Sequence, residues 1–576
     1  MQLFDWIVLI VTLLFIVIYG AWKTRGSKNV EDYILGNNET PWFTVGLSVM
    51  ATQASAITFL STPGQAYHDG MGFVQFYFGL PIAMVVICVT FIPIYHKYKV
   101  YTAYEYLEKR FDLKTRSLAA ILFLVQRGLG TGITIYAPSI ILSALLGWDL
   151  TYMNIIIGIL VIIYTFSGGT KAVNVTQKQQ MFVILSGMVI TFFLILDYLP
   201  NDMTFDNALH IAGANQKMNI VDFSFDLNEK YTFWSGITGG FFLALAYFGT
   251  DQSQVGRYLS GKSVRESQMG LIMNGLLKVP MQFLILLTGV MVFVFFQFNG
   301  TPINFNPNNK TTVENSKYKS EYQKLQKELD VLSEDEKVVN LLYIDQLNQD
   351  YDNPTLRKEL VDLATKEKEL RAQAREIISK ADDKAETNDK DYVFFYFILH
   401  YLPKGLIGLL LAVIISAAMS STASGLNALA STTAIDIYKR NVGEKSEKHY
   451  LNISKLFTLV WGIIAIGFAC IATLFENLIQ LVNIIGSIFY GTVLGIFLVG
   501  FYIHKIRGKS IFYGAVISQI AIFVIYYFTN LIYPSGEEKL GYLWLNFIGA
   551  LLTIVLSFFF QTTVFKNDEE NELLVD

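Results

Sequence analysis

The run Ile415-Ser416-Ala417-Ala418-Met419-Ser420-Ser421-Thr422-Ala423-Ser424-Gly425-Leu426-Asn427 sets hydroxyl side chains at close spacing inside an apolar segment extending from about residue 405 to 437. Water is absent at such a depth in a membrane, so polar side chains there need partners. Small hydroxyl residues in that setting either let helices approach closely or offer oxygens to a hard cation. This run is too dense for close packing alone. A second apolar segment of the same character, Ser48-Val49-Met50-Ala51-Thr52-Gln53-Ala54-Ser55-Ala56-Ile57-Thr58, lies near the N-terminus. Two such segments point to one shared site for an ion and a solute.

Membrane-spanning helices must position that site. Of the 576 residues, 53% are hydrophobic and 16% charged, and the mean hydropathy is +0.41; a soluble domain carries roughly 25% charged residues. Runs of about 20 apolar residues recur, the mark of a polytopic membrane protein. Thirteen segments qualify, near 3–22, 41–62, 71–95, 117–146, 151–168, 178–198, 232–250, 270–296, 405–437, 452–474, 477–503, 511–533 and 541–563. With the N-terminus outside, the basic residues of the connecting loops fall inside: Lys23, Arg25 and Lys28, then Lys97 to Arg110, Lys171 and Lys178, Arg257 to Arg265, Lys439 to Lys448, and Lys505 to Lys509. The short outside loops carry Asp149, Asp197, Asp202, Glu476, Glu537 and Glu538. Basic residues favour the cytoplasmic side, so the pattern predicts a plasma- or inner-membrane protein with its acidic tail, 567–576, in the cytoplasm. The first segment has neither a basic leader nor a small-residue cleavage site and reads as a retained helix. Cys88 and Cys470 imply no disulfide framework. No basic run suits nucleic acid, and the six histidines lack metal-ligand spacing.

The segment 300–391 is rich in Lys, Glu, Asp and Gln and falls outside in this topology. Leu325, Leu329, Leu332, Val338, Leu341 and Leu342 recur at near-helical spacing, as do Leu356, Leu360, Leu363, Leu370 and Ile377. Two amphipathic helices, paired as a hairpin, are expected. The segment reads as a solvated insertion, with a lid or a protein-partner role as the alternatives.

The second and seventh spans are the most polar of the core. One contains Thr52, Gln53, Ser55, Thr58 and Ser61-Thr62-Pro63-Gly64; the other Gly236, Gly239-Gly240, Tyr247 and Gly249-Thr250-Asp251-Gln252. Each opens a group of five spans, and an odd repeat length gives the groups opposite orientations. Inverted repeats with discontinuous helices at the binding site are a transporter design, although polar helices also line channels.

Several stretches resemble the sodium/solute symporter family over nearly the whole chain apart from 300–391. They are Tyr101 to Phe111, Ile135-Tyr136-Ala137-Pro138, Ser167 to Val173, Asp251-Gln252 with Val255 to Leu259, and Ala417 to Asn427 ending at Asp436-Ile437-Tyr438. Ser48 to Gly64 looks most like the monocarboxylate, vitamin and iodide branch. The resemblance implies an all-α protein with a 5+5 inverted-repeat core of the LeuT type. It implies Na+ held by the carbonyls of Ala51, Ala54 and Ala417 and the hydroxyls of Ser420 and Ser421, neutral oxygens that bind a hard cation weakly enough to release it. Relatives often carry an acid after the residue matching Thr176. Gln177 stands there, so one sodium per cycle is expected, and Ser424 does not settle the matter. By motif position, Gln53, Ser55, Thr58, Tyr247 and Phe248 would face the solute, with Gln75 a further candidate. Phe248 would be an inner gate. The acid of the galactose branch would fall near Gly79, which disfavours a sugar. Lys278 matches a galactose-branch lysine, or simply snorkels to the cytoplasmic surface. Arg127, a charge inside the fourth span, is a functional hypothesis by default. It either meets a substrate carboxylate through its planar fork or caps an internal salt bridge.

The domain reading is 1–40 first helix and linker, 41–299 first repeat and start of the second, 300–391 insertion, 392–505 remainder of the second repeat, and 506–576 peripheral helices and tail. The expected function is sodium-coupled uptake of a small organic anion such as a monocarboxylate. A sugar, sialic acid or amino acid is the alternative cargo; a cation channel or a transporter-like sensor is the alternative class. An enzyme would need an intramembrane nucleophile or carboxylate cluster, which the spans do not show. A sensor would need a soluble C-terminal domain, whereas about a dozen residues follow the last span.

Overall fold

The break predicted in the second span organises the molecule. The computed structural model describes residues 1–23, 40–383, 385–443, 445–471, 478–532 and 539–566, and within its helices leaves the side chains of 16–17, 19–23, 164, 167–176 and 178 undescribed. Arg25, Lys28, Glu476, Glu537, Glu538 and the acidic tail therefore lie outside the described residues, as do the side chains of Lys23, Thr176 and Lys178 and of the whole Ser167 to Val173 stretch. The helices in chain order are α1 (Leu3–Lys23), α2 (Trp42–Gln53), α3 (Ala56–Asp69), α4 (Met71–Tyr98), α5 (Ala103–Arg110), α6 (Leu113–Leu146), α7 (Leu150–Asp197) and α8 (Phe205–Ala214). They continue as α9 (Phe241–Thr250), α10 (Gln252–Leu259), α11 (Val264–Phe296), α12 (Pro307–Glu314), α13 (Lys319–Leu347), α14 (Pro354–Ala381), α15 (Lys390–Tyr401), α16 (Leu406–Thr432), α17 (Glu447–Ala469), α18 (Leu478–Tyr502), α19 (Gly508–Tyr526) and α20 (Trp544–Thr562).

Among the described residues nine helices are long and apolar enough to cross a membrane, and α2 with α3 makes a tenth, bent by 58°. Leu3–Phe15 and Leu150–Ile163 are shorter apolar lengths. The fifth and sixth expected spans differ from expectation: α7 is helical from Leu150 to Asp197 without a loop between them. Forty-eight residues at about 1.5 Å each exceed twice the roughly 30 Å hydrocarbon thickness, so α7 still holds two span lengths.

Both expected helix breaks are present. Ala54 (ψ 74°) and Ser55 (ψ 176°) leave the helical region between α2 and α3. Asp251 (ψ 117°) does so between α9 and α10, and its carboxylate caps α10 through Ser253 N at 2.9 Å. An N-cap carboxylate offsets one of the donors orphaned at a helix start.

The insertion forms the expected antiparallel hairpin, α13 on α14, with a correction of register. Leu325, Leu329 and Leu332 are buried, but past them the inward face is Val339, Tyr343 and Ile344; Val338, Leu341 and Leu342 point outward. A helix turns 3.6 residues at a time, so over this length a chosen leucine series drifts off the face that is buried. Arg371 of α14 ties the hairpin to its own first strand of chain. It donates to Thr301 Oγ1 (2.9 Å), Pro302 O and Ile303 O (3.0 Å each) and pairs with Glu367 at 2.7 Å. Burial pushes the neighbouring Glu336 carboxyl up to about 8, with the Glu367 charge adding to the rise. Arg371→Leu should leave these acceptors unpaired and cost about 3 kcal/mol, the low end for removing one partner of a buried pair. Limited proteolysis should then cut within 300–391 markedly faster than in the parent protein.

Candidate ion and solute site

α16 carries the hydroxyl run and packs against α2, α3, α6 and α7. Its hydroxyls divide into two sets. Ser416 accepts from Gln180 Nε2 (2.6 Å), Thr422 bonds Ala418 O (2.8 Å) and Thr134 (2.9 Å), and Ser424 accepts from Gln177 Nε2 (3.4 Å). Ser420 and Ser421 are buried, and neither Oγ has a hydrogen-bond partner. A buried hydroxyl without a partner costs free energy, which sets these two apart from Ser416, Thr422 and Ser424. Across from them, the break in α2–α3 redirects backbone donors. Ser55 N donates to Gln53 O (3.0 Å) and Thr58 N to Ser55 O (3.0 Å). In an unbroken helix these donors would go to Ala51 O and Ala54 O. The neutral oxygen set suits a weakly held hard cation.

The second break is chemically different. Its carbonyls are taken by tyrosines: Tyr95 OH donates to Gly249 O (2.7 Å) and Tyr104 OH to Thr250 O (2.9 Å).

Gln177 of α7 joins three helices. Its Oε1 accepts from Ser48 Oγ (2.8 Å), and its Nε2 donates to Thr52 Oγ1 (3.2 Å) and to Ser424. The amide fills this spot with hydrogen bonds and adds no charge.

A cavity of about 100 Å³ lies beside the first break. Gln53, Ser55, Thr58, Arg127 and Tyr247 line it together, joined by Phe76, Tyr77, Asn483 and Tyr490, which the sequence reading missed. Two expected residues are elsewhere. Gln75 clamps the loop before the π-helical turn of the seventh span, donating to Tyr231 O (2.9 Å) and Gly72 O (3.3 Å) and accepting from Asp222 N (2.9 Å). Phe248 is fully buried and packs its ring on Tyr247 (centroids 4.9 Å apart), away from the cavity wall. Tyr247 lines the cavity, while the Phe248 ring is packed behind it in the core.

Arg127 has both features offered for it. Its guanidinium lines the cavity and lies 5.6 Å from the Tyr247 ring centre. It also pairs with Asp251 at 3.4 Å and bonds Ser253 Oγ. Asp251 in turn accepts from Tyr490 OH at 3.1 Å, and Gln126 Nε2 donates to that hydroxyl at 3.1 Å. The Nε of Arg127 has no partner. Lys278 does not snorkel: it is fully buried, with Nζ 5.6 Å from the centre of Tyr77. A side chain at position 79 would run into the backbone of Phe241, so no acid can project from there.

The far end of α6 is bolted. Asp436 accepts from Thr102 Oγ1 (2.7 Å) and Arg116 Nε (2.8 Å), while Glu108 binds Arg116 (2.6 Å) and Arg440. Tyr136, which meets Glu386 near the end of the insertion, lies about 30 Å along α6 from Arg116 at 1.5 Å per residue. The cavity thus sits between an ion-paired latch at one end and the insertion at the other.

A family model described as the sodium:solute symporter family matches residues 33–329 and 377–518, passing over the middle of the insertion. The chain is 26% identical over 508 residues to the sodium-coupled monocarboxylate transporter 1 of Xenopus laevis, covering 88% of this chain and 68% of that protein. It is 32% identical over 277 residues to the human sodium/iodide cotransporter, 47% of this chain and 42% of that one. In structure it matches an outward-open, Na+-coupled sialic acid symporter with a TM-score of 0.73 at 22% identity, covering 97% of this chain and 98% of that one, a likeness of fold. The chain belongs to the sodium:solute symporter family and is a multi-pass, sodium-coupled symporter of the LeuT-like fold, not an enzyme.

Proposed function

We propose that the protein takes up a small organic anion of the monocarboxylate class with one sodium ion per cycle. Sodium is held by the carbonyls of Ala51, Ala54 and Ala417 and the hydroxyls of Ser420 and Ser421, tying the broken α2–α3 to α16. The substrate carboxylate meets Arg127, and Gln53, Ser55, Thr58 and Tyr247 hold the rest of the solute. The observation that carries the reading is a guanidinium on the wall of a small cavity with its Nε unpartnered. The names of the monocarboxylate relatives support it. The hydrogen-bonded amide of Gln177 supports a single sodium in the core. The charge pattern of the loops supports an N-terminus outside and an insertion facing outside. There the insertion acts as an outer cap, and Arg116, Asp436 and Glu108 form the inner latch. Each ligand raises the other's affinity reciprocally, and the membrane potential drives the ion inward with about 2.3 kcal/mol per charge at 100 mV.

Tracer uptake into proteoliposomes tests this. Lactate, pyruvate and acetate should accumulate only with an inward sodium gradient, and unlabelled monocarboxylates should compete where galactose, sialic acid and proline do not. Uptake indifferent to sodium, or competed equally by galactose, would overturn the reading.

A further inference from the structure

One cation inside the membrane has no counter-charge and no part in the cycle above. Lys278 lies near the middle of α11 and is fully buried. Its Nζ has no hydrogen-bond partner, and among the described residues no carboxylate pairs with it. What it has is the face of the Tyr77 ring, 5.6 Å from Nζ to the ring centre. Gln282, one turn further along the same helix face, is also fully buried, and neither its Nε2 nor its Oε1 has a partner. Arg127, by contrast, is balanced by Asp251 at 3.4 Å.

Packing fixes where this pair sits. Its helix face turns to α4: Asn274 Nδ2 lies 3.9 Å from Met84 Sδ, and a side chain at Gly275 would strike Met84. α11 also runs alongside α2 and α3, with Gly270 against Val45 and Gly289 against Pro63. Lys278 and Gln282 fall between those two contacts, level with the break at Ala54–Ser55. Tyr77 belongs to the wall of the solute cavity and Lys278 does not, so the ammonium stands behind that wall.

An ammonium out of water without a counter-ion is costly, and an aromatic face offsets only part of that cost. Residues four apart on a helix are neighbours, about 5–6 Å between Cβ atoms, so the ammonium and the Gln282 amide N–H can meet one ligand. Donors without partners call for an anion, and one ammonium calls for a single negative charge. Chloride and the carboxylate of the solute share that chemistry. Position favours chloride, because Arg127 is on the cavity wall and Lys278 is behind it.

We infer that Lys278 and Gln282 hold a chloride-sized anion behind Tyr77, beside the broken helix. Its consequence for sodium rests on the sodium-symport reading. An uncompensated ammonium level with the break opposes a sodium ion held by the carbonyls of Ala51 and Ala54. The anion cancels that opposition, so each ion strengthens the binding of the other.

Chloride-36 binding to the purified full-length protein in nanodiscs tests this, in sodium or choline methanesulfonate. The parent protein should bind one chloride, severalfold more tightly in sodium than in choline. Lys278→Met should lose the ion, and Gln282→Leu should weaken it severalfold; both keep the bulk of the side chain, and a thermal melt checks that they fold. Saturating pyruvate should leave the chloride in place. The site is overturned if the parent binds no chloride, or if both variants bind it like the parent. Displacement of chloride by pyruvate also overturns it, and would assign Lys278 to the carboxylate of the solute. Chloride that is lost in Lys278→Met yet bound equally in sodium and choline would uphold the site and count against the sodium reading on which the coupling rests.

Discussion

Ser421→Ala is expected to raise half-saturating sodium for uptake by about 10- to 100-fold, with the protein still folded. A hydrogen bond or ligand contact to a charged group contributes about 1.5–3 kcal/mol, and each 1.4 kcal/mol is tenfold in affinity. The fold should hold because the deleted oxygen has no hydrogen-bond partner within the protein. Removing an unpartnered hydroxyl relieves a cost and adds only a small void. Ser420→Ala should act in the same direction. Ser424→Ala is the control on the same helix: its Oγ is engaged by Gln177 at 3.4 Å, so its loss should trim stability and leave sodium dependence nearly unchanged. A sodium titration of initial uptake rates, with size-exclusion profiles for all three variants, makes the comparison. Equal sodium dependence for Ser421→Ala and the parent protein would mean that the pair only packs against its neighbours.

How far these sites were legible from sequence follows from the kind of force that sets each part. The spans are set by transfer of apolar side chains from water, a property of composition. The two breaks are marked locally as well, by Gln53-Ala54-Ser55 and by Gly249-Thr250-Asp251, because polar and small residues weaken a helix where they cluster. Ser420 and Ser421 were singled out by resemblance, and burial without partners is what separates them from Ser416, Thr422 and Ser424. Facing is another matter. Gln75 and Phe248 have the right chemistry, yet one is drawn to Tyr231 O and the other packs its ring on Tyr247 in the core. Asn483 and Tyr490 gave no local signal, and nothing local paired Asp251 with Arg127. They meet Arg127 or the cavity only because α9, α18 and α6 cross, and crossings are set by packing between distant segments. The insertion shows the same limit on a smaller scale. Its hairpin was readable from periodicity, while the outward turn of Val338, Leu341 and Leu342 depended on where α14 sits.

Asp251→Ala should be the most damaging single change near the cavity, costing about 3–5 kcal/mol by stranding the charge of Arg127 and roughly 1 kcal/mol more by uncapping α10. Tyr490 OH would lose its acceptor as well. A thermal melt of the detergent-purified protein should fall accordingly, and uptake should vanish with it. Loss of uptake alone would not tell whether Arg127 serves the fold or the substrate, and its two contacts predict different outcomes once the pair is removed together. Arg127→Gln with Asp251→Asn removes both buried charges together, which avoids stranding either one and costs far less than breaking the pair from one side. The double variant should therefore recover most of the melting temperature and still fail to accumulate a carboxylate. Arg127→Lys keeps the charge but loses the planar fork. It should raise KM for the anion while half-saturating sodium changes little. Recovery of both stability and uptake in the double variant would reduce Arg127 to one half of an internal salt bridge. Recovery of stability alone would leave the carboxylate as the partner its Nε lacks.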